Sequence, residues 1–167
     1  NAGTVGFPFK MNNGTLYTFS FQKGWNWFSV NTLLDNMTLN FILSSANTNG
    51  DYIKDQSNSS TYYSGYGWFG SLIGIKPDKL YKINVQNGTI AEFTGRPVDV
   101  YTSDIPVVSG WNWIGYLPQK AMPTGTALSS LSLADLDYLK SQTNSATYYS
   151  GYGWFGSLIS MEPGVGY

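Results

Sequence analysis

The run Thr61-Tyr-Tyr-Ser-Gly-Tyr-Gly-Trp-Phe-Gly-Ser-Leu-Ile73 occurs a second time, unchanged, as Thr147 to Ile159, a displacement of 86 positions (61 to 147). The same offset lays Gly24-Trp-Asn-Trp27 on Gly110-Trp-Asn-Trp113, Asp51-Tyr-Ile-Lys54 on Asp137-Tyr-Leu-Lys140, Pro77 on Pro163 and Tyr81 on Tyr167. A long internal period restricts a chain to architectures built from repeated units. We therefore expect two similar units, residues 1–86 and 87–167, the second without the closing strand of the first.

Each unit is small, and the chain has no cysteine, so packing must hold it together without disulfides. Aromatic residues can supply that packing: thirteen Tyr, nine Phe and six Trp each offer a large apolar area for burial. Charged residues make up only 11% of the chain and nearly balance at −1, with Lys and Arg scattered. Phosphate recognition needs a clustered basic footprint, so nucleic acid is excluded as an expected partner. No apolar run reaches the length of a membrane span. Asn1 opens no signal-peptide pattern, which fits a mature product or an excised fragment. A surface of Asn, Ser, Thr, Gly and Tyr points to an extracellular or cell-surface setting. Asn13, Asn36, Asn58 and Asn87 each head an Asn-x-Ser/Thr triplet and are the expected N-glycosylation positions in a eukaryotic source.

Periodicity predicts a mainly β fold, with five or six short antiparallel strands and one short helix per unit. Leu16 to Phe21 alternates with Tyr17, Phe19 and Phe21 on one face. Trp25 to Val30 carries bulky groups on both faces, which predicts a central strand. Leu39, Ile42, Leu43 and Ala46 recur at helical spacing, predicting about two turns over 38–46, with a looser counterpart at 127–133. Strands are further expected over 51–56, 60–63, 68–73 and 80–85, the last with Tyr81, Ile83 and Val85 on one face. Because Tyr167 corresponds to Tyr81, the chain stops in mid-unit, in the phase of a slice from a longer array; the alternative is that the sheet edge left open is filled by a strand from a neighbouring molecule.

With neither His nor Cys, the chain lacks the usual general base, thiol nucleophile and zinc ligands. Neither metal nor cofactor is expected. Asp51 and Asp137 are the one acidic pair at equivalent positions, and they lie in different units, a poor basis for a two-carboxylate glycoside hydrolase. Two groups could bind a ligand. Asp51, Lys54 and Gln56, with Asp137, Lys140 and Gln142, carry side chains suited to sugar hydroxyls, and their ordinary structural alternative is solvated strand positions. Tyr66 and Trp68, with Tyr152 and Trp154, sit among glycines that leave rings uncovered, which suits duplicated stacking platforms for glycans; the alternative is core filling. Trp25 and Phe69 are assigned to the core.

The succession Gly-Trp-Asn-Trp, Asp-Tyr-x-Lys-x-Gln, Thr-Tyr-Tyr, Gly-Trp-Phe-Gly-Ser-Leu and Pro-Gly-x-Gly-Tyr, covering 24–81 and 110–167, resembles a repeat of large secreted or surface-anchored multidomain proteins of bacteria and some algae and protists. Lys79-Leu-Tyr81 departs from Val165-Gly-Tyr167 at the closing turn. The resemblance implies an extracellular, non-catalytic repeat with no defined site. The function expected is a structural or adhesive segment of a larger surface protein or filament, whose partners are neighbouring copies or adjacent repeats. A glycan-binding module is the alternative.

Overall fold

The computed structural model describes residues 14–167. It is mainly β, with two one-turn helices and several antiparallel sheets. The expected sequon Asn13 lies outside the described residues.

The largest sheet has five strands in the order β2-β7-β4-β5-β6: β2 Gly24–Phe28, β7 Tyr81–Val85, β4 Tyr52–Lys54, β5 Ser59–Tyr63 and β6 Gly67–Gly70. Alternation decides its two faces. In β7, Tyr81, Ile83 and Val85 are buried while Lys82 and Asn84 face outward. Ile83 pairs with Ile53 of β4, and both are sealed from solvent. Side chains of this size contribute about 1.5–3 kcal/mol each when buried, so this inner face holds much of the fold. The helix α1 Leu39–Ile42 closes that face with Leu39 and Ile42. It is one turn long, where the spacing of 38–46 predicts two: the chain leaves the helix at Leu43 and continues as turns that still bury Leu43 and Ala46.

A second sheet, β1-β8-β3, packs on this core: β1 Thr15–Phe21 pairs along its length with β8 Thr89–Pro97, and β3 Thr32–Leu33 pairs with the far end of β8. Rings connect the two sheets. Phe21 meets Phe28 at 5.1 Å between centroids, and Phe28 meets Tyr81 at 5.7 Å.

The later part of the chain forms a three-stranded sheet, β10 Tyr138–Lys140, β11 Ser145–Tyr149 and β12 Gly153–Gly156. A short ladder joins β9 Met122–Pro123 to β13 Ser160–Met161, and the helix α2 Thr124–Ala127 lies beside it. The expected helix at 127–133 thus begins earlier and ends at Ala127. Tyr116, Leu128, Leu139, Leu158, Met161 and Tyr167 form a smaller core.

Two sequence expectations are corrected here. Trp25 to Val30 is not central: β2 is an edge of the five-stranded sheet, because β7 pairs with its inner side and no described strand pairs with the other. Trp25 and Phe69 are not core residues, being 45% and 56% exposed. They share strand parity with Lys82 and Asn84 rather than with Ile83, so they stand on the outer face. Trp68 takes the inward place and is only 8% exposed.

Candidate functional site: a lysine–tryptophan seam

The parity that turns Trp25 and Trp27 outward places them in register with Asn84 and Lys82 of β7, which in turn face Tyr52 and Lys54 of β4. One row across the outer face is therefore Trp27–Lys82–Lys54, and the next is Trp25–Asn84–Tyr52. The second Gly-Trp-Asn-Trp segment is brought against the first row. Lys82 Nζ stands 3.7 Å from the Trp27 ring centre and 3.9 Å from that of Trp113, clasped between the two indoles. Lys140 lies 5.2 Å from Trp27, and Lys54 lies 5.6 Å from both Trp113 and Trp25. Ammonium groups and indoles thus alternate in the order Lys140, Trp27, Lys82, Trp113, Lys54, Trp25. Each such contact contributes about 0.5–1 kcal/mol when exposed and about 2 when desolvated.

Backbone clamps hold the indoles in place. The Gln142 carboxamide donates to Trp25 O (2.8 Å) and accepts from Trp27 N (2.7 Å). Gln56 does the same for the other segment, donating to Trp111 O (2.7 Å) and accepting from Trp113 N (2.9 Å). Further along the junction, Ser29 N donates to Gly164 O and Gly115 N to Asp78 O, each at 3.0 Å. These partners repeat at the 86-residue offset, so each part of the chain grips the other by the same means. Gly115 is needed here for its lack of a side chain, since a Cβ would run into the Pro77 carbonyl oxygen.

The seam carries uncompensated positive charge. Among the described residues the one ion pair is Lys79 with Asp55, at 3.2 Å, and it lies outside this cluster. Burial first, and then the charges of Lys54 and Lys140, hold the Lys82 ammonium below the usual lysine range. The rim is open: Trp25 is 45% and Trp111 64% exposed. Each rim indole is braced edge-on by a tyrosine, Trp25 by Tyr52 at 6.1 Å and Trp111 by Tyr138 at 6.0 Å.

The residues singled out in the sequence meet different fates. Lys54 and Lys140 converge on the seam, and Gln56 and Gln142 are its clamps. Asp51 is buried and serves the backbone, accepting from Thr48 N (3.0 Å) and Gln86 N (2.7 Å); Asp137 accepts from Ala134 N (2.7 Å). Tyr66 and Tyr152 are exposed as the platform reading expects, but Trp68 is not, packing edge-on against Tyr62 at 5.7 Å inside the core. Trp154 is half-buried beside Tyr148 and walls a shallow groove of about 460 Å³ with Gly125, Leu128 and Ile159. Both indole N–H groups, of Trp68 and Trp154, are buried without a hydrogen-bond partner. Asn36 and Asn87 are exposed and Asn58 half-buried.

Trp27, Trp113, Trp111 and Lys82 were missed as site residues. The signal that could have found the three tryptophans is the Trp-x-Trp spacing, which in β2 puts two indoles on one strand face opposite to Phe28; Lys82 carries no such signal. No family model, curated protein or solved structure matches the chain.

Proposed function

We propose that this chain is a non-enzymatic segment of an extracellular or cell-surface protein, with a structural or adhesive role in an array of like units. The observation that carries this reading is a strand-wide slot beside β10. In the five-stranded sheet β4 has β5 on one side and β7 on the other, whereas β10, at the matching position, has β11 on one side and no strand of the described residues on the other. The walls of this slot nevertheless keep the spacing they have when a strand lies between them. Trp25 and Tyr52 meet across Asn84 at 6.1 Å and 87°, and Trp111 and Tyr138 meet at 6.0 Å and 86° with no strand of the described residues between them. Ile114 and Tyr167 exchange two backbone hydrogen bonds, 2.8 and 2.9 Å, in the register of Phe28 and Tyr81.

An unpaired edge held at one-strand width is a template for strand addition. The occupant that fits is a strand with the alternation of β7, supplied in an array by whatever part of the parent protein lies next to this edge. No helix of the described residues is long and apolar enough to cross a membrane.

The test is backbone hydrogen exchange with a free peptide of sequence Lys82–Asn87. Slowed exchange over Tyr138–Lys140 and Gly110–Trp113, lost when the peptide carries Asp in place of its Ile and Val, is the expected result. Unchanged exchange at saturating peptide would refute the slot and with it the array.

A further inference from the structure

The geometry points to acidic polysaccharide as the ligand of the seam's outer face, with Trp25 and Trp111 stacking on sugar rings and Lys54, Lys82 and Lys140 meeting carboxylate or sulfate groups. This rests on the adhesive part of the reading above and names what is adhered to. Three features of the seam are better suited to such a ligand than to fastening alone.

The first is charge. Three ammonium groups are gathered on one face of a chain whose net charge is −1, and among the described residues no carboxylate pairs with any of them. Indole faces offset part of the cost of that gathering, yet an anion would offset more, since charge-assisted hydrogen bonds are about twice as strong as neutral ones. The second is the arrangement of the rings. Trp27 and Trp113 are used up in clasping Lys82, whereas Trp25 and Trp111, two residues before each of them, keep about half or more of their surface open. An exposed indole braced edge-on by a tyrosine cannot rotate freely, so stacking a sugar on it costs little ordering entropy. The third is preorganisation by Gln56 and Gln142, which fix the backbone from each exposed ring to the tryptophan two residues on. Two exposed indoles beside a cationic row suit an extended polymer that places rings and charges at intervals, and engaging both indoles at once gains avidity.

Single-stranded nucleic acid combines stacking and charge in the same way. It fits less well, because only three cations are gathered here and the rest of the chain is more acidic than basic, with ten Asp and Glu against the other six Lys and Arg.

The test is titration of intrinsic tryptophan fluorescence with polygalacturonate, dextran sulfate, neutral dextran and oligo-dT. Saturable quenching by polygalacturonate or dextran sulfate, weakened by salt and absent with neutral dextran, is expected, and the two anions tell a uronate site from a sulfate site. Lys54→Met with Lys140→Met should weaken binding at least about tenfold. Trp25→Ala with Trp111→Ala should do the same through the exposed rings alone, which urea unfolding would show to be replaceable without loss of the fold. Equal binding of neutral dextran, tighter binding of oligo-dT, or parent affinity in either double variant would overturn the assignment. Because the slot is read by exchange at backbone amides and this site by fluorescence and lysine dependence, either can fail while the other stands.

Discussion

Replacing Gly115 by alanine should loosen the junction between the two parts of the chain more than any other single methyl group. Gly115 N donates to Asp78 O at 3.0 Å, and the Cβ of an alanine would fall within the radius of the Pro77 carbonyl oxygen and 3.1 Å from Lys79 N. Those neighbours are backbone atoms of a turn that also bridges Lys79 to Ile114, so they cannot swing aside as a side-chain tip could. Overpacking of this kind costs about 1–3 kcal/mol. Displacing the turn also weakens the bond to Asp78 O, worth about 0.5–1.5 kcal/mol. The sum is about 2–4 kcal/mol, which lowers the urea midpoint by about 1–2 M for a slope near 2 kcal/mol/M. Gly125→Ala is the control. Its Cβ would meet only Trp154 Cδ1, at an ordinary 3.8 Å, in a one-turn helix, and removing a glycine there should stabilise by about 0.4–1 kcal/mol. Urea unfolding followed by tryptophan fluorescence measures both. A midpoint for Gly115→Ala equal to that of the parent, or an equal loss in both variants, would refute the claim that backbone approach at Gly115 locks the junction.

Asp55 predicts the acid limb of stability. Burial opposes its ionisation, but hydrogen bonds from Ser57 N, Asn58 N and Lys79 Nζ outweigh burial and hold its carboxyl below the usual carboxylate range. A folded-state pKa below the unfolded one gives stability that is present above about pH 4 and lost as pH falls through the folded value. The urea midpoint of the parent should therefore fall more steeply with acid than that of Asp55→Asn, and parallel pH profiles would contradict this. Tyr81 is fully buried, and burial foremost pushes its phenol well above the ordinary range while its oxygen accepts from Lys76 N at 2.7 Å. Tyr81→Phe should cost about 1–3 kcal/mol in urea unfolding, from the amide left without a partner, and no loss would mean that water replaces the hydroxyl.

What the sequence made legible was local. The β7 alternation of Tyr81, Ile83 and Val85 against Lys82 and Asn84 reads directly as one buried face, and the structure has it so. The same rule, applied to Trp25 and Phe69, would have turned them outward; assigning them to the core by size alone let hydrophobicity override parity. β8 was not among the expected strands: Ala91 and Phe93 are buried between exposed Ile90, Glu92 and Thr94, but a small residue and a single ring make too faint a stripe. The tryptophan platform failed at Trp68 for a register reason: pairing Tyr62 with Trp68 and Thr61 with Phe69 sends the larger ring inward. Lys82 belongs to neither duplicated motif, and its two aromatic neighbours lie in separate segments. Nothing local marks it. Its place follows only once β2, β7 and the Trp111–Trp113 segment are assembled.

That assembly also bears on what the seam is for. If its sole task were to fasten two parts of the chain, an apolar side chain at position 82 would fill the space between Trp27 and Trp113 without desolvating an ammonium or drawing three like charges together. The long apolar stem of lysine could cover the rings while its charge turned to water. Instead the Lys82 ammonium sits within 4 Å of both ring centres, with Lys54 and Lys140 beyond them. The fastening is already provided by the Gln56 and Gln142 clamps and the Ser29 and Gly115 amides, none of which needs a charge. The contacts of Lys82 with Trp27 and Trp113 add to that cohesion, and the charge left without a carboxylate partner among the described residues is what the proposed anionic ligand would meet.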